Sequence, residues 1–152
     1  MSSRYIVRVT RLLALAASLA LVLPGFASEL KVRATDGWIR EAPPVSTMLA
    51  GYLTIENESA KAIAIVGATS PVFARIEIHR TEIEGGVARM RRQERVVVPP
   101  GGTQPFGPGG YHLMLMKPDR PLKAGDVVGL ALSLEDGQSI QAELLVMKGD
   151  PE

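Results

Sequence analysis

From Lys31 onward, no stretch sustains a 3.6-residue apolar period over ten residues. Short runs rich in β-branched, aromatic and aliphatic residues instead alternate with clusters of Pro and Gly. Such a pattern fits strands and breaks helices, so the chain reads as all-β. Strands are expected over 32–40, 48–57, 62–68, 73–83, 87–92, 95–98, 111–116, 127–134 and 139–147. Pro43 with Pro44, Gly85 with Gly86, and the clusters at 99–102 and 107–110 supply turn geometry that a strand interior refuses. This many short strands suit a β-sandwich or Greek-key barrel.

Residues 1–27 read as a signal peptide. Arg4, Arg8 and Arg11 precede an apolar run over 12–23, and small residues follow up to Ala27, after which cleavage is expected. The run is well short of the ~20 residues that span a bilayer as a helix. The mature protein, 28–152, is therefore expected to be exported, not membrane-embedded and a single domain. The leader holds three of the 17 basic residues and none of the 16 acidic ones, leaving a net charge of −2 and no basic excess for nucleic acid. The chain has no Cys, so its core must hold without disulfides and no lipid can be attached after the apolar run. Arg8 and Arg11 are not adjacent, so no twin-arginine signal is present. No Ser, His and Asp grouping or paired carboxylates stand out, which argues against an enzyme.

The two histidines fall into a spaced set with methionine. Ten residues separate His79 from Met90, twenty-one separate Met90 from His112, and Leu113 alone separates His112 from Met114. Imidazole nitrogen plus thioether sulfur is a neutral, partly soft donor set suited to Cu(I). In the fourth expected strand Ala74, Ile76 and Ile78 alternate with Arg75, Glu77 and His79, giving one apolar and one polar face. If Gly85 and Gly86 form a two-residue turn, Glu84 pairs with Val87, Thr81 with Met90 and His79 with Arg92. His79 and Met90 are then diagonal neighbours on one face, roughly 7–8 Å apart at the backbone. A three-residue turn would send Met90 to the other face. The two-residue register also puts Arg89 and Arg91 on the side that should be core, which implies a bulge or an edge position. Further along, Tyr111, Leu113 and Leu115 alternate with His112, Met114 and Met116, so His112 and Met114 share a face.

Each of these residues has a plainer reading taken alone: a lone Met fills a core gap and a lone His on a polar face is simply solvated. Met116 reads as an apolar rim residue or a fifth sulfur. Met48 and Met147 read as core packing, and Trp38 as a core anchor. Arg89, Arg91, Arg92 and Arg95 form either a solvated face or a docking surface for an acidic partner.

The His and Met spacing, with the run Pro108, Gly109, Gly110, Tyr111, His112, Leu113, Met114, Leu115, Met116, resembles the periplasmic copper chaperone family PCu(A)C. Asp36, Gly37, Trp38, then Gly51, Tyr52, Leu53, Thr54, and later Lys123, Ala124, Gly125, Asp126 add to the resemblance, which covers essentially the whole mature chain. It implies a cupredoxin-like β-sandwich, monomeric and periplasmic, holding one Cu(I) through His79, Met90, His112 and Met114. It further implies delivery of copper to the copper A centre of apo cytochrome c oxidase subunit II, with a Sco-type protein as a further partner. Copper storage or resistance, or an exported protein-interaction module, are the alternatives. Arg80 departs from the residue many relatives carry after the first histidine. The His- and Met-rich C-terminal extension of some relatives is missing, so a single site is expected. Without Cys there is no thiolate for a blue-copper electron carrier.

Overall fold

The computed structural model describes residues 31–151, so the expected signal peptide lies outside the described residues. Ten strands form: β1 (Val32–Arg40), β2 (Met48–Asn57), β3 (Ile63–Thr69), β4 (Phe73–Glu84), β5 (Val87–Arg92), β6 (Val96–Val98), β7 (Thr103–Phe106), β8 (Tyr111–Pro118), β9 (Val127–Leu134) and β10 (Ser139–Met147). The nine expected strands are all present, five of them with the expected bounds. The tenth, β7, escaped the sequence reading because it is short, follows the glycine turn and carries Pro105. It pairs with β2 from Leu53↔Phe106 to Glu56↔Thr103, an edge position where a missing N–H is tolerated.

The sheet runs β5-β4-β8-β2-β1-β10-β9-β3-β6, with β7 on β2. All pairs are antiparallel except β1 with β10. β3 also comes against β4, and β6 against β2, so the sheet folds over on itself. One apolar cluster fills the space between, with Ile39, Ile55, Ile65, Leu113, Leu115, Leu132 and Leu144 fully buried. Each such side chain stabilises the fold by roughly 1.5–3 kcal/mol through burial. No helix of the described residues is long and apolar enough to cross a membrane.

A bulge decides the side on which Trp38 is buried, and the expectation for two methionines is corrected. Between Thr35↔Thr54 and Trp38↔Tyr52, β1 advances three residues while β2 advances two, a bulge centred on Asp36 (φ 52°) and Gly37. The extra residue inverts the alternation. Val32 and Ile39 point into the main apolar cluster, whereas Trp38 is buried as expected but on the other side of β1, against Tyr52, ring centroids 4.4 Å apart. Met48 and Met147, expected in the core, lie outside it. Met48 is 48% exposed, because β2 sends Leu49, Leu53 and Ile55 inward and the alternate residues outward. On β10, Ile140, Ala142, Leu144 and Val146 take the inward positions, leaving Met147 half-buried on the opposite side.

Candidate metal centre

The hairpin of β4 and β5 closes through Gly85 (φ 59°) and Gly86 (φ 80°). Positive φ at both positions is what a two-residue type I′ turn requires. The pairing is accordingly Glu84↔Val87, Thr81↔Met90 and His79↔Arg92, the two-residue register. The difficulty over Arg89 and Arg91 resolves through position: β5 is an edge strand, exposed along its whole length, and no core lies beneath it. Arg91 pairs with Glu84 at 2.7 Å and Glu82 at 3.4 Å, and Arg89 with Glu84 at 3.5 Å.

β8 lies between β4 and β2, and its alternation is as read: Leu113 and Leu115 are fully buried, while His112, Met114 and Met116 take the other face. Across the β4–β8 ladder His79 stands directly opposite His112, Glu77 opposite Met114 and Arg75 opposite Met116. The imidazole centroids are 6.0 Å apart. Met90, His112 and Met114 line one hollow of about 360 Å³, together with Met48 and Ala50 of β2. His79 is not part of that wall; it flanks the hollow with its ring beside His112. Burial is graded across the set, from His112 at 5% exposed, through half-buried His79 and Met114, to Met90 at 65%.

The second contacts of the imidazoles fix which nitrogen each offers. His112 Nδ1 lies 3.0 Å from the Gly110 carbonyl, which can only accept, so Nδ1 donates and the neutral ring keeps its lone pair on Nε2. The turn that presents this carbonyl needs Gly109 at φ 80°, and the Gly110 N–H donates to the Gly107 carbonyl at 3.0 Å. His79 Nε2 donates to Glu77 Oε2 at 2.9 Å, which in the neutral ring leaves the lone pair on Nδ1. Glu77 is held below the usual carboxylate range chiefly by this hydrogen bond, with Arg75 and Arg92 adding to it against the opposing effect of burial. Arg75 and Arg92 approach its Oε1 at 3.4 and 3.5 Å.

Glu77 and Met48 are the site neighbours that sequence reasoning left out. Glu77 carried a signal, since it shares the face of His79 two residues away. Met48 joins the hollow only through the β2–β8 pairing, which no local pattern reveals. Met116, read as a rim residue or a fifth sulfur, has its Sδ engaged by Arg75 Nε and Nη2, both at 3.2 Å. Arg80 projects from the opposite face to His79, its guanidinium 5.1 Å from the Tyr111 ring centroid, so its charge is directed away from the histidines. Among the described residues no three His, Asp or Glu side chains gather as a metal cluster. A donor set assembled at this place would have to include the thioethers.

Comparison with known proteins agrees with this architecture. The family described as "Putative lipoprotein LpqE-like" matches residues 32–146. The "Putative lipoprotein Lxx21020" of Leifsonia xyli subsp. xyli is 30% identical over 109 residues, which span 71% of this chain and 64%, under two thirds, of that protein's length. The solution structure of CuI-DR1885 from Deinococcus radiodurans is 32% identical and superposes with a TM-score of 0.60, covering 86% of this chain and 83% of that one. The copper-bound PCuAC domain from PmoF2 is 18% identical with a TM-score of 0.65, covering 78% and 94%, and shows the shared cupredoxin-like fold. The chain belongs to the LpqE-like family, which is the PCuAC family.

Proposed function

We propose that this chain is an exported, periplasmic Cu(I) metallochaperone that carries one ion between His79, Met90, His112 and Met114. The observation that carries the reading is the shared outer face of β8, β4 and β5. It sets His112 and Met114 two residues apart, places His79 across from His112, and brings Met90 into the hollow that His112 and Met114 line. The copper-bound form of the 32%-identical Deinococcus protein supports the choice of cargo.

All four donors are neutral when bound, so the loaded site keeps the ion's single positive charge. A thiolate-bearing acceptor attracts that charge and offers a softer ligand, which favours onward transfer over retention. The recipient we assign is the copper A centre of apo cytochrome c oxidase subunit II, with a Sco-type protein as a further partner.

Competition against a chromogenic Cu(I) chelator tests the site: the parent takes up one equivalent, and Met114→Leu loses uptake while unfolding at the parent temperature. A Met114→Leu variant that holds copper as tightly as the parent overturns the ligand set. Mixing the Cu(I)-loaded chain with a purified apo subunit II fragment tests delivery, and copper that stays on the chain refutes the assigned recipient.

A further inference from the structure

We infer that Met48 is a transient Cu(I) ligand through which the ion passes on its way into and out of the site; this rests on the copper reading above. Met48 is expected in the core from the sequence, yet the residue is 48% exposed on the outer face and lines the same hollow as Met90, His112 and Met114. The β2–β8 register sets Met48 opposite Met116 and Ala50 opposite Met114. Met48 is thus the diagonal neighbour of Met114, roughly 7–8 Å away at the backbone and within combined reach of two thioethers. Ala50, directly across from Met114, contributes only a methyl group and leaves the space between the two sulfurs open to the hollow. The other sulfur of that row, on Met116, is engaged by the Arg75 guanidinium. A cation already donating to that sulfur repels an approaching copper ion. Of the row's two sulfurs, Met48 is therefore the one available.

Cu(I) moves between carriers by ligand exchange rather than as a free ion. On loading, the bond from copper to the Met48 sulfur forms as a ligand of the delivering molecule leaves. The bond to the Met114 sulfur then forms as the bond to Met48 breaks. Copper stays monovalent throughout, and no proton is taken up or released, because thioethers do not titrate. A ligand that acts only in passage changes the rates in both directions equally and leaves the equilibrium untouched.

The test uses the full chain, with Cu(I) supplied as its chelator complex and exchange followed by stopped-flow absorbance. Met48→Leu keeps the parent's equilibrium affinity within about twofold and slows both uptake and release about tenfold, equivalent to one decade in barrier terms. Met116→Leu matches the parent in both respects. Exchange by Met48→Leu at the parent rate overturns the inference. So does a loss of affinity as large as that of Met114→Leu, since Met48 would then be a permanent ligand. A parent that takes up no Cu(I) at all removes the copper reading itself, whereas a failure confined to Met48→Leu leaves that reading standing.

Discussion

Replacing Gly37 by Ala adds one methyl group where β1 lies against β10. A Cβ built there falls inside the van der Waals surface of the Glu143 carbonyl oxygen, with the Glu143 carbonyl carbon at 3.1 Å and Leu144 Cγ at 3.3 Å. Two of these three atoms are backbone in a strand paired on both sides, so relief requires β1 to move away from β10 rather than a side chain to rotate. Overpacking of a well-packed site costs typically 1–3 kcal/mol, and rigid backbone neighbours put this site at the upper end, about 3 kcal/mol. For a domain of this size each kcal/mol corresponds to roughly 3–5 °C, so the midpoint should fall by about 10 °C. The assay is thermal unfolding followed by far-UV dichroism, with Gly67→Ala as the matched control because a Cβ at Gly67 meets nothing within 4 Å. The control should stay within about 0.5 kcal/mol of the parent. A Gly37→Ala midpoint within 2 °C of the parent would refute the close approach of β1 to β10, and with it the bulge that decides the side on which Trp38 is buried.

Three further outcomes follow from the same structure. Gly86→Ala forces an L side chain to φ 80°, at a cost on the order of 1–2 kcal/mol; it should loosen the β4–β5 hairpin and weaken Cu(I) binding through Met90, which chemical unfolding and chelator competition read separately. The Asp126 carboxyl, beside Arg120, and the Glu135 carboxyl, beside Arg95, are both held below their ordinary range by those hydrogen bonds. Depressed folded values stabilise the fold above the unfolded carboxylate pKa of about 4 and lose that effect as pH falls further. Urea midpoints should therefore drop between pH 5 and 2, and should drop less in an Arg95→Gln, Arg120→Gln double variant. Only the two imidazoles of the proposed donor set compete with protons, so apparent Cu(I) affinity should fall on acidification, approaching a hundredfold per pH unit for two histidines and tenfold for one. A flat affinity from pH 5 to 8 would remove both histidines from the set.

The sequence features that proved legible share a cause: their determinants lie within a few residues of one another. Two glycines with positive φ set the β4–β5 register, and with it the face of Met90. Alternation within β8 placed His112 and Met114 together because Leu113 and Leu115 claim the core side. The misreadings arise where the deciding partner is distant in sequence. The bulge at Asp36 and Gly37 exists only relative to the neighbouring strands, so the side on which Trp38 is buried leaves no local trace beyond the glycine itself. Met48 faces the hollow because β2 lies beside β8, a pairing across more than sixty residues. β7 combines four residues with a proline and would read as a loop without β2 beside it.

The gradient of burial across the proposed donor set would give a carrier a direction of release. His112 and Met114 stand on a strand paired on both sides and anchored by Leu113 and Leu115, so their positions follow from the core rather than from the ion. Met90 stands on β5, which pairs on one side only and buries no side chain. Displacing Met90 costs little packing, whereas displacing His112 disturbs both a buried ring and its bond to the Gly110 carbonyl. On the proposed ligand set an incoming acceptor ligand would therefore meet least resistance at Met90 on the edge strand, with Met48 on β2 as the ligand in passage, and copper would leave the histidines last. Swapping the burial, for instance by covering β5 with an added strand, should slow release without changing the donors at all.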